Sequence, residues 1–332
     1  MADVAARAGV GTITVSRALN TPERVSPEVR ARVQAAIEAT GYVPNLAAGT
    51  LKSRRSRIVA AIVPTLRSAI FAETVDALAA GLAPHGLQLL VASSGYSPQA
   101  EAAILRTLLG QQPEAVVLTG THHDPSVRAL LRGRGLPVVE TWDLATDPID
   151  RAVGFSNVEA ARAMTHALAA RGHRRIAFVG TPPGLEPRAA QRAEGYRRAI
   201  VELGFEPEVE LLDELGVTIA SGERAAAALL ARPRPPEAAF FVNDVAAFGA
   251  VQACRRLGIA VPDRLAIAGF GDFEIARAAL PPLTTVRIPG ARIGATAARW
   301  VAERLAAGGE APPERAPRSL DLGFEVVLRD SA

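Results

Sequence analysis

The spacing of hydrophobic positions changes once along the chain, close to residue 57. Before that point, apolar side chains recur at the spacing of an α-helix in three short segments, 1–9, 12–20 and 26–41. The last segment carries the end signals of a helix, with Ser26 as the N-cap, Pro27 at the first helical position and Gly41 just past the end. The first part of the chain therefore predicts three short helices.

From Ile58 onward, buried strands and helices are predicted to alternate. The run IVAAIVP, residues 58–64, is continuous and rich in β-branched residues, as in a strand buried on both faces. Strand-like runs then alternate with helical patterns over 58–143 and again over 157–271. This alternation predicts an α/β fold of two lobes, each a doubly wound parallel sheet. The closing segments are expected to hold crossovers, a helix and an outer strand, and a ligand is expected in the cleft at the carboxyl ends of the strands.

Length and composition narrow the class of protein. The chain has 332 residues, of which 49% are hydrophobic, enough for more than one core. No apolar run is long enough to span a membrane and no export signal is seen at the start, so we expect a cytoplasmic protein that has no membrane partner. The single cysteine, Cys254, lies in a helical pattern and is expected in a core. We expect no cofactor and no metal, and the stretch GFGDFE lacks the third glycine of a dinucleotide-binding turn.

Positive charge is concentrated in residues 1–57. This segment has nine basic and four acidic side chains and a net charge of +5, whereas the rest of the chain has a net charge of −2. A polyanion such as DNA is a natural partner of such a segment, but a solvated basic face explains the charge equally well on composition alone.

A tight turn, AGVG, joins the first two predicted helices, which is the pattern of a helix-turn-helix. The stretch ADVAARAGVGTITVSRALN resembles the DNA-binding signature of the LacI-type repressors, D-V-A-x-x-A-G-V-S-x-x-T-V-S-R-x-L-N. The matching positions are Asp3, Val4, Ala5, Ala8, Gly9, Val10, Thr14, Val15, Ser16, Arg17, Leu19 and Asn20. A match of this length is specific, so the resemblance implies a DNA-binding domain.

The resemblance gives roles to the side chains of the second helix. Its first residues would read base edges in the major groove, and its small polar side chains would donate to phosphates. Thr12 and Ile13 stand where the family varies, and Ile13 suits a thymine methyl rather than a hydrogen-bonding edge. The other expected DNA contacts are Thr14, Ser16, Arg17 and Asn20. Gly11 departs from the family, which has Ser there, and so the helix lacks a side-chain cap.

The segment YVPNLAAGTLK resembles the hinge helix of the same family. The resemblance implies that Asn45 and Ala48 face the DNA and that Leu51 wedges between base steps in the minor groove. Two hinges would meet on the DNA, so we expect a homodimer on a pseudo-palindromic operator. The expected domains are 1–44 for the helix-turn-helix, 45–57 for the hinge and linker, and 58–332 for the effector-binding and dimerisation part.

The remaining chain is similar to the sugar-binding core of this family over nearly its whole length, and most of all to the gluconate-operon repressors. Phrases such as FAETVDAL, PVVETWD and VPDRLAIAGFGD carry the resemblance. It implies a two-lobe core like that of the periplasmic binding proteins, with a small-molecule effector between the lobes. The expected effector contacts are Phe71, His123, Trp142, Arg188, Arg192, Asn243 and Asp272.

Two departures from the family concern the charge of this cleft. Many relatives have Asp at the positions of Trp142 and Gly271, where this chain has no carboxylate. Fewer carboxylates beside Arg188 and Arg192 favour an anionic effector, and a sugar acid such as gluconate is the expected ligand. A neutral sugar or another metabolite is the alternative.

Two other classes of protein were weighed against a regulator. A solute-binding transport protein would share the two lobes, but it would need an export signal and would lack residues 1–57. An enzyme on a Rossmann-like fold would need a nucleophile and a base close together, and no such constellation is found in the sequence. We therefore expect a repressor controlled by a small molecule, with no catalytic residue.

Overall fold

A computed structural model describes residues 1–42, 56–66, 69–182, 184–212, 218–308 and 318–332. The chain divides into two compact units, Met1–Ser56 and Arg57–Ala332. No helix within the described ranges is long and apolar enough to cross a membrane.

The described part of the first unit consists of three helices, α1 (Ala2–Ala8), α2 (Thr12–Asn20) and α3 (Pro27–Thr40). Gly9 ends α1 in the left-handed conformation with φ 63°, which lets the chain turn sharply into α2. The expected ends of α3 are found, because Ser26 Oγ accepts from the amide of Val29 and Gly41 follows in the left-handed conformation. Small apolar side chains from all three helices form the core: Val4, Ala5, Ala8, Val15, Val33 and Ala36.

The second unit holds two parallel sheets, as the alternating pattern predicted. The first has six strands in the order β11-β5-β4-β3-β1-β2 and the second has four in the order β7-β6-β8-β9. Strands β10 and β12 pair with each other in antiparallel fashion. The bounds of the strands are β1 Ile58–Val63, β2 Gln88–Ser93, β3 Ala115–Thr119, β4 Val138–Thr141, β5 Arg151–Gly154, β6 Ile176–Gly180, β7 Glu208–Leu211, β8 Ala238–Phe241, β9 Ala266–Ala268, β10 Thr285–Arg287, β11 Ser319–Asp321 and β12 Glu325–Val327.

Helices cover both sheets and bury their apolar faces against them. The helices of the first lobe are α4 (Ala72–Leu82), α5 (Pro98–Gly110), α6 (Pro125–Leu131) and the returning α12 (Gly290–Ala306). Those of the second lobe are α7 (Asn157–Ala170), α8 (Pro187–Leu203), α9 (Ile219–Leu230), α10 (Asp244–Arg256) and the short α11 (Glu274–Ala278). The main core runs through both lobes, and a smaller one lies under α5 and α6.

Two strands of the first sheet come from parts of the chain that the pattern did not assign to it. β5 has four residues and opens with Arg151, and it was not predicted. β11 was not predicted either, since the outer strand was expected within residues 321–329, where β12 lies, and β11 returns from the C-terminal part of the chain to pair with β5. The chain therefore passes between the lobes more than once, and β10 and β12 lie on these passages.

Candidate DNA-binding surface and effector cleft

Helix α2 presents one polar surface and one buried edge. Val15 packs into the core of the first unit, while Thr12, Ile13 and Arg17 are exposed. Ile13 is 68% exposed although it is a large apolar residue, which suits a surface that meets another molecule. Thr14 and Ser16 are half-buried, and Asn20 is the last residue of the helix.

The start of α2 confirms the absence of a side-chain cap. Gly11 is the N-cap, with extended backbone at φ −75° and ψ 156°, and no side chain accepts from the first amides of the helix. The hinge contacts expected at Asn45, Ala48 and Leu51 lie outside the described residues, as does most of the segment 45–57. The individual roles of the residues on α2 remain predictions.

The carboxyl ends of the strands in the second unit line a cleft between the two lobes. The pocket in this cleft is partly open to solvent. Both lobes contribute to its walls, through Tyr96, Thr119, Thr121, His122, Asp143 and Arg188.

An aromatic cluster is buried beside the cleft, within the first lobe, and Phe71 and Trp142 are only 2% and 3% exposed. The rings of Phe71 and Trp142 meet edge to face with centroids 4.8 Å apart, and Phe155 lies 6.2 Å beyond Trp142. The indole Nε1 of Trp142 donates to Thr74 Oγ1 at 3.0 Å, so its polar atom already has a partner within the lobe.

Two buried arginines on α8 of the second lobe lie over aromatic rings, one from each lobe. The guanidinium of Arg188 lies 5.6 Å from the centre of the Phe71 ring, and that of Arg192 lies 4.7 Å from the centre of the Phe270 ring. Burial lowers the pKa of Arg192, and the nearby charge of Arg188 adds to this, while Glu186 opposes it. The structure therefore brings together the two arginines that the sequence placed one helical turn apart.

A contact across the cleft joins the two lobes. Asp143 Oδ2, which follows β4, accepts from Thr121 Oγ1 at 3.0 Å and from Gln191 Nε2 of α8 at 2.9 Å. The backbone of Asp143 approaches β5 closely at Gly154, where a Cβ would overlap it, so the glycine permits this approach. This carboxylate and that of Glu186 were not singled out in the sequence, so the arginines share the cleft with more negative charge than expected.

The tyrosine of the cleft was also missed. Tyr96 follows β2 with φ 63°, a conformation that the sequence does not signal. Burial raises the pKa of its phenol, and the charge of Glu186 raises it further, so the group is a neutral hydrogen-bonding partner in the cleft.

His123 does not face the cleft, and that expectation is corrected. Its side chain is 1% exposed, with Nδ1 2.8 Å from Glu101 Oε2 and Nε2 3.4 Å from Glu140 Oε1. Burial alone would lower the pKa of His123, but the hydrogen bonds and charges of the two glutamates outweigh it and raise the pKa to about 9. The ring is therefore a buried cation between two carboxylates.

The carboxylate of Asp272 forms ion pairs within the protein. It binds Arg287 Nε at 2.7 Å and Arg329 Nη2 at 2.5 Å, so both oxygens tie the passages between the lobes to the second sheet. Asn243 caps α10, with Oδ1 accepting from the amide of Ala246 at 3.0 Å. At Gly271 the ring of Phe273 fills the space that a Cβ would need, so an Asp would not fit there without a shift.

An exposed second helix in a three-helix unit, together with a cleft between two parallel-sheet lobes, fits the class of DNA-binding regulators that respond to a small molecule. Comparison with known proteins agrees. The sequence pattern described as "Bacterial regulatory proteins, lacI family" matches residues 1–45, and that described as "Periplasmic binding protein-like domain" matches residues 165–332.

Similar proteins carry matching names. A Pseudomonas aeruginosa protein named HTH-type transcriptional regulator GntR is 37% identical over 99% of this chain and 94% of its own length. A protein of the same name from Escherichia coli K12 is 36% identical over 98% of this chain and 96% of its own length. The crystal structure of a LacI-family transcriptional regulator from Silicibacter pomeroyi matches with a TM-score of 0.91 at 33% identity, over 99% of this chain and 98% of that one.

This chain belongs to the lacI family of bacterial regulatory proteins. It is a DNA-binding transcription regulator with an effector-binding core, and the expected class is confirmed over the transport protein and the enzyme.

Proposed function

We propose that the protein is a cytoplasmic repressor that binds a pseudo-palindromic operator as a homodimer and changes its operator affinity when a sugar acid such as gluconate binds in the cleft. In this proposal α2 enters the major groove, Thr12 and Ile13 choose the bases, and Arg17 contacts a guanine or the backbone, while Thr14, Ser16 and Asn20 bind phosphates and hold the register. Asn45 and Ala48 of the hinge face the DNA, and Leu51 wedges between base steps in the minor groove.

The observation that carries the choice of ligand is the pair of buried arginines at the cleft. Arg188 and Arg192 stand on one helix and reach the same carboxylate oxygen of Glu186. A pair of guanidinium groups placed in this way binds a carboxylate with charge-assisted hydrogen bonds. The predicted contacts Phe71 and Trp142 are buried beside the cleft, while Tyr96, Thr119 and Thr121 line it and supply partners for the hydroxyls of a sugar chain.

A neutral sugar is the second candidate effector, and a specific observation favours it. Asp143 and Glu186 are carboxylates in or beside the cleft, and carboxylates accept hydrogen bonds from sugar hydroxyls. Neither carboxylate was identified as part of the cleft from the sequence.

A thermal-shift panel distinguishes the two candidates. The melting temperature of the full chain is measured with gluconate, glucose and ribose, for the wild type and for Arg192→Gln. A ligand at 100 times its Kd stabilises the native state by about 2.7 kcal/mol, so a true effector gives a shift of several degrees. We expect a shift with gluconate that Arg192→Gln abolishes.

The matched control is Arg197→Gln, because Arg197 lies on the same helix with its side chain half exposed. It should keep the wild-type response. Stabilisation by glucose or ribose without stabilisation by gluconate would contradict the sugar-acid proposal and favour the neutral sugar.

A further inference from the structure

Glu186 occupies the position that an incoming carboxylate would need. It stands at the N-cap of α8 with 8% of its surface exposed. Its Oε1 lies 3.3 Å from Arg192 Nη2 and 3.7 Å from Arg188 Nη2. Both guanidinium groups therefore converge on one oxygen of the protein's own carboxylate.

Two other buried polar atoms of the same helix have no hydrogen-bond partner among the described residues. Arg192 Nη1 donates to Asn157 Oδ1 at 2.9 Å, but Arg192 Nε has no hydrogen-bond partner within the described ranges of the chain. The same holds for Gln191 Oε1, whose amide nitrogen reaches across to Asp143. Buried polar groups rarely go without partners, so these two atoms point to a polar molecule that binds beside Glu186.

We propose that Glu186 is a specificity-determining residue of the cleft, whose carboxylate competes with the carboxylate of a ligand for Arg188 and Arg192. The inference rests on the proposed sugar-acid site. It goes further, because it assigns to this chain an internal anion that weakens the binding of every anionic ligand and leaves neutral sugars unaffected.

The physical reason is the burial of all three side chains. A ligand carboxylate that reaches the arginines must share them with Glu186 or displace it. Two carboxylates that bind the same guanidinium groups in a low-dielectric site repel each other strongly. A neutral hydroxyl meets no such repulsion, and it can donate to an oxygen at this position whether the residue is Glu or Gln. The preference for an acid over the matching neutral sugar is therefore smaller than the two arginines alone would give.

The variant Glu186→Gln removes the charge and keeps an oxygen that accepts from Arg192. Isothermal titration of the full chain with gluconate and with glucose gives the two affinities. We expect the affinity for gluconate to rise about tenfold, which corresponds to 1.4 kcal/mol, while the affinity for glucose stays within about twofold.

Two further variants show whether charge at this position is the cause. Glu186→Asp keeps the charge and should keep the wild-type preference for gluconate over glucose. Glu194→Gln lies on the exposed side of the same helix, where Glu194 pairs with Arg198 at 2.8 Å, and should change neither affinity. If Glu186→Gln melts below the temperature of the titration, Glu186→Ala takes its place with the same expected rise.

The outcomes separate this inference from the proposed function. Tighter gluconate binding by Glu186→Gln, and not by the two controls, supports the inference even if the wild type itself does not bind gluconate, a result that would count against the sugar-acid effector alone. Gluconate binding by the wild type with no gain in Glu186→Gln overturns the inference and leaves the effector in place. If neither protein binds gluconate, both proposals are wrong.

Discussion

At the scale of single residues, we expect the side chain at position 11 to influence DNA binding. The backbone of Gly11 is already that of an N-cap, and no described atom outside its chain neighbours lies within 4 Å of the place where a Cβ would go. Serine fits there without strain, and its hydroxyl would accept from an amide of the first turn of α2.

We expect Gly11→Ser to tighten operator binding slightly, because it makes the exposed helix more regular before DNA binds. A Ser cap is a few tenths of a kcal/mol better than Gly, whereas Ala is worse than either. Gly11→Ala is therefore the matched control, and operator affinity measured by fluorescence anisotropy should rank Ser above Gly above Ala. A Ser variant that binds no better than the wild type would rule out preorganisation of α2 as a limit on affinity.

The positions of single side chains include both the most detailed correct predictions from the sequence and the clearest errors. Arg188 and Arg192 were placed together correctly, since four residues make about one helical turn. The direction of His123 was wrong, because it depends on Glu101 and Glu140, which come from an earlier helix and a later strand. Asp272 was assigned to the effector, yet arginines on two distant segments hold its carboxylate.

At the scale of elements, His123 ties a loop to a helix and a strand. It follows β3, its two partners lie on α5 and β4, and the guanidinium of Arg128 on α6 comes within 3.8 Å of Glu140. The ring thus lies buried where four elements of the first lobe meet, and its positive charge stabilises their contacts.

The stability of this lobe should fall as the pH rises above about 6.5. The pKa of His123 is about 9 in the folded protein and near its ordinary value of 6.5 in the unfolded chain. The folded state therefore holds the proton more tightly, so the stabilisation is complete below pH 6.5 and is lost as the pH approaches 9. A shift of this size corresponds to a stabilisation on the order of 3 kcal/mol.

Urea unfolding of the full chain between pH 6 and 9.5 measures this loss. His123→Gln should flatten the pH dependence in that window and lower stability at pH 6, while substitution of the exposed His85 should leave the curve unchanged. Asp244, whose pKa burial raises from 3.8 to about 7, makes stability fall as the pH rises from 3.8 through about 7, so its effect is nearly complete below the upper part of this range. An equally steep fall in His123→Gln would assign the effect to another group.

Elements were predicted from the sequence where their pattern was long. The helices and most strands of both lobes follow from apolar runs and helical spacing, and the caps of α3 follow from Ser26, Pro27 and Gly41. β5 was missed because four residues beginning with an arginine carry too little pattern. The place of β11 in the first sheet is set by a long-range return of the chain, which no local pattern contains.

At the scale of the whole molecule, the effector-binding unit is built so that one ligand touches both lobes. Gln191 of the second lobe already donates to Asp143 of the first at 2.9 Å, and Arg188 lies over the ring of Phe71. A ligand bound between them changes the balance of these contacts and so favours one arrangement of the lobes over another. Control of DNA binding then requires only that the protein binds the operator more tightly in one arrangement of the lobes than in the other.

Such coupling must be equal in both directions, because it is one free energy shared by two sites. If gluconate changes the Kd for the operator by some factor, then operator DNA changes the Kd for gluconate by the same factor, and a regulator typically shows a factor of about 5 to 150. We expect this equality whether the ligand induces or co-represses.

The operator is obtained by selection from random DNA. Its Kd is measured by anisotropy with and without gluconate, and the Kd for gluconate is measured by titration with and without the operator. In Arg192→Gln the operator Kd should stay as in the wild type while its response to gluconate disappears. Gluconate binding that leaves the operator Kd unchanged would show that the cleft does not control the DNA-binding surface.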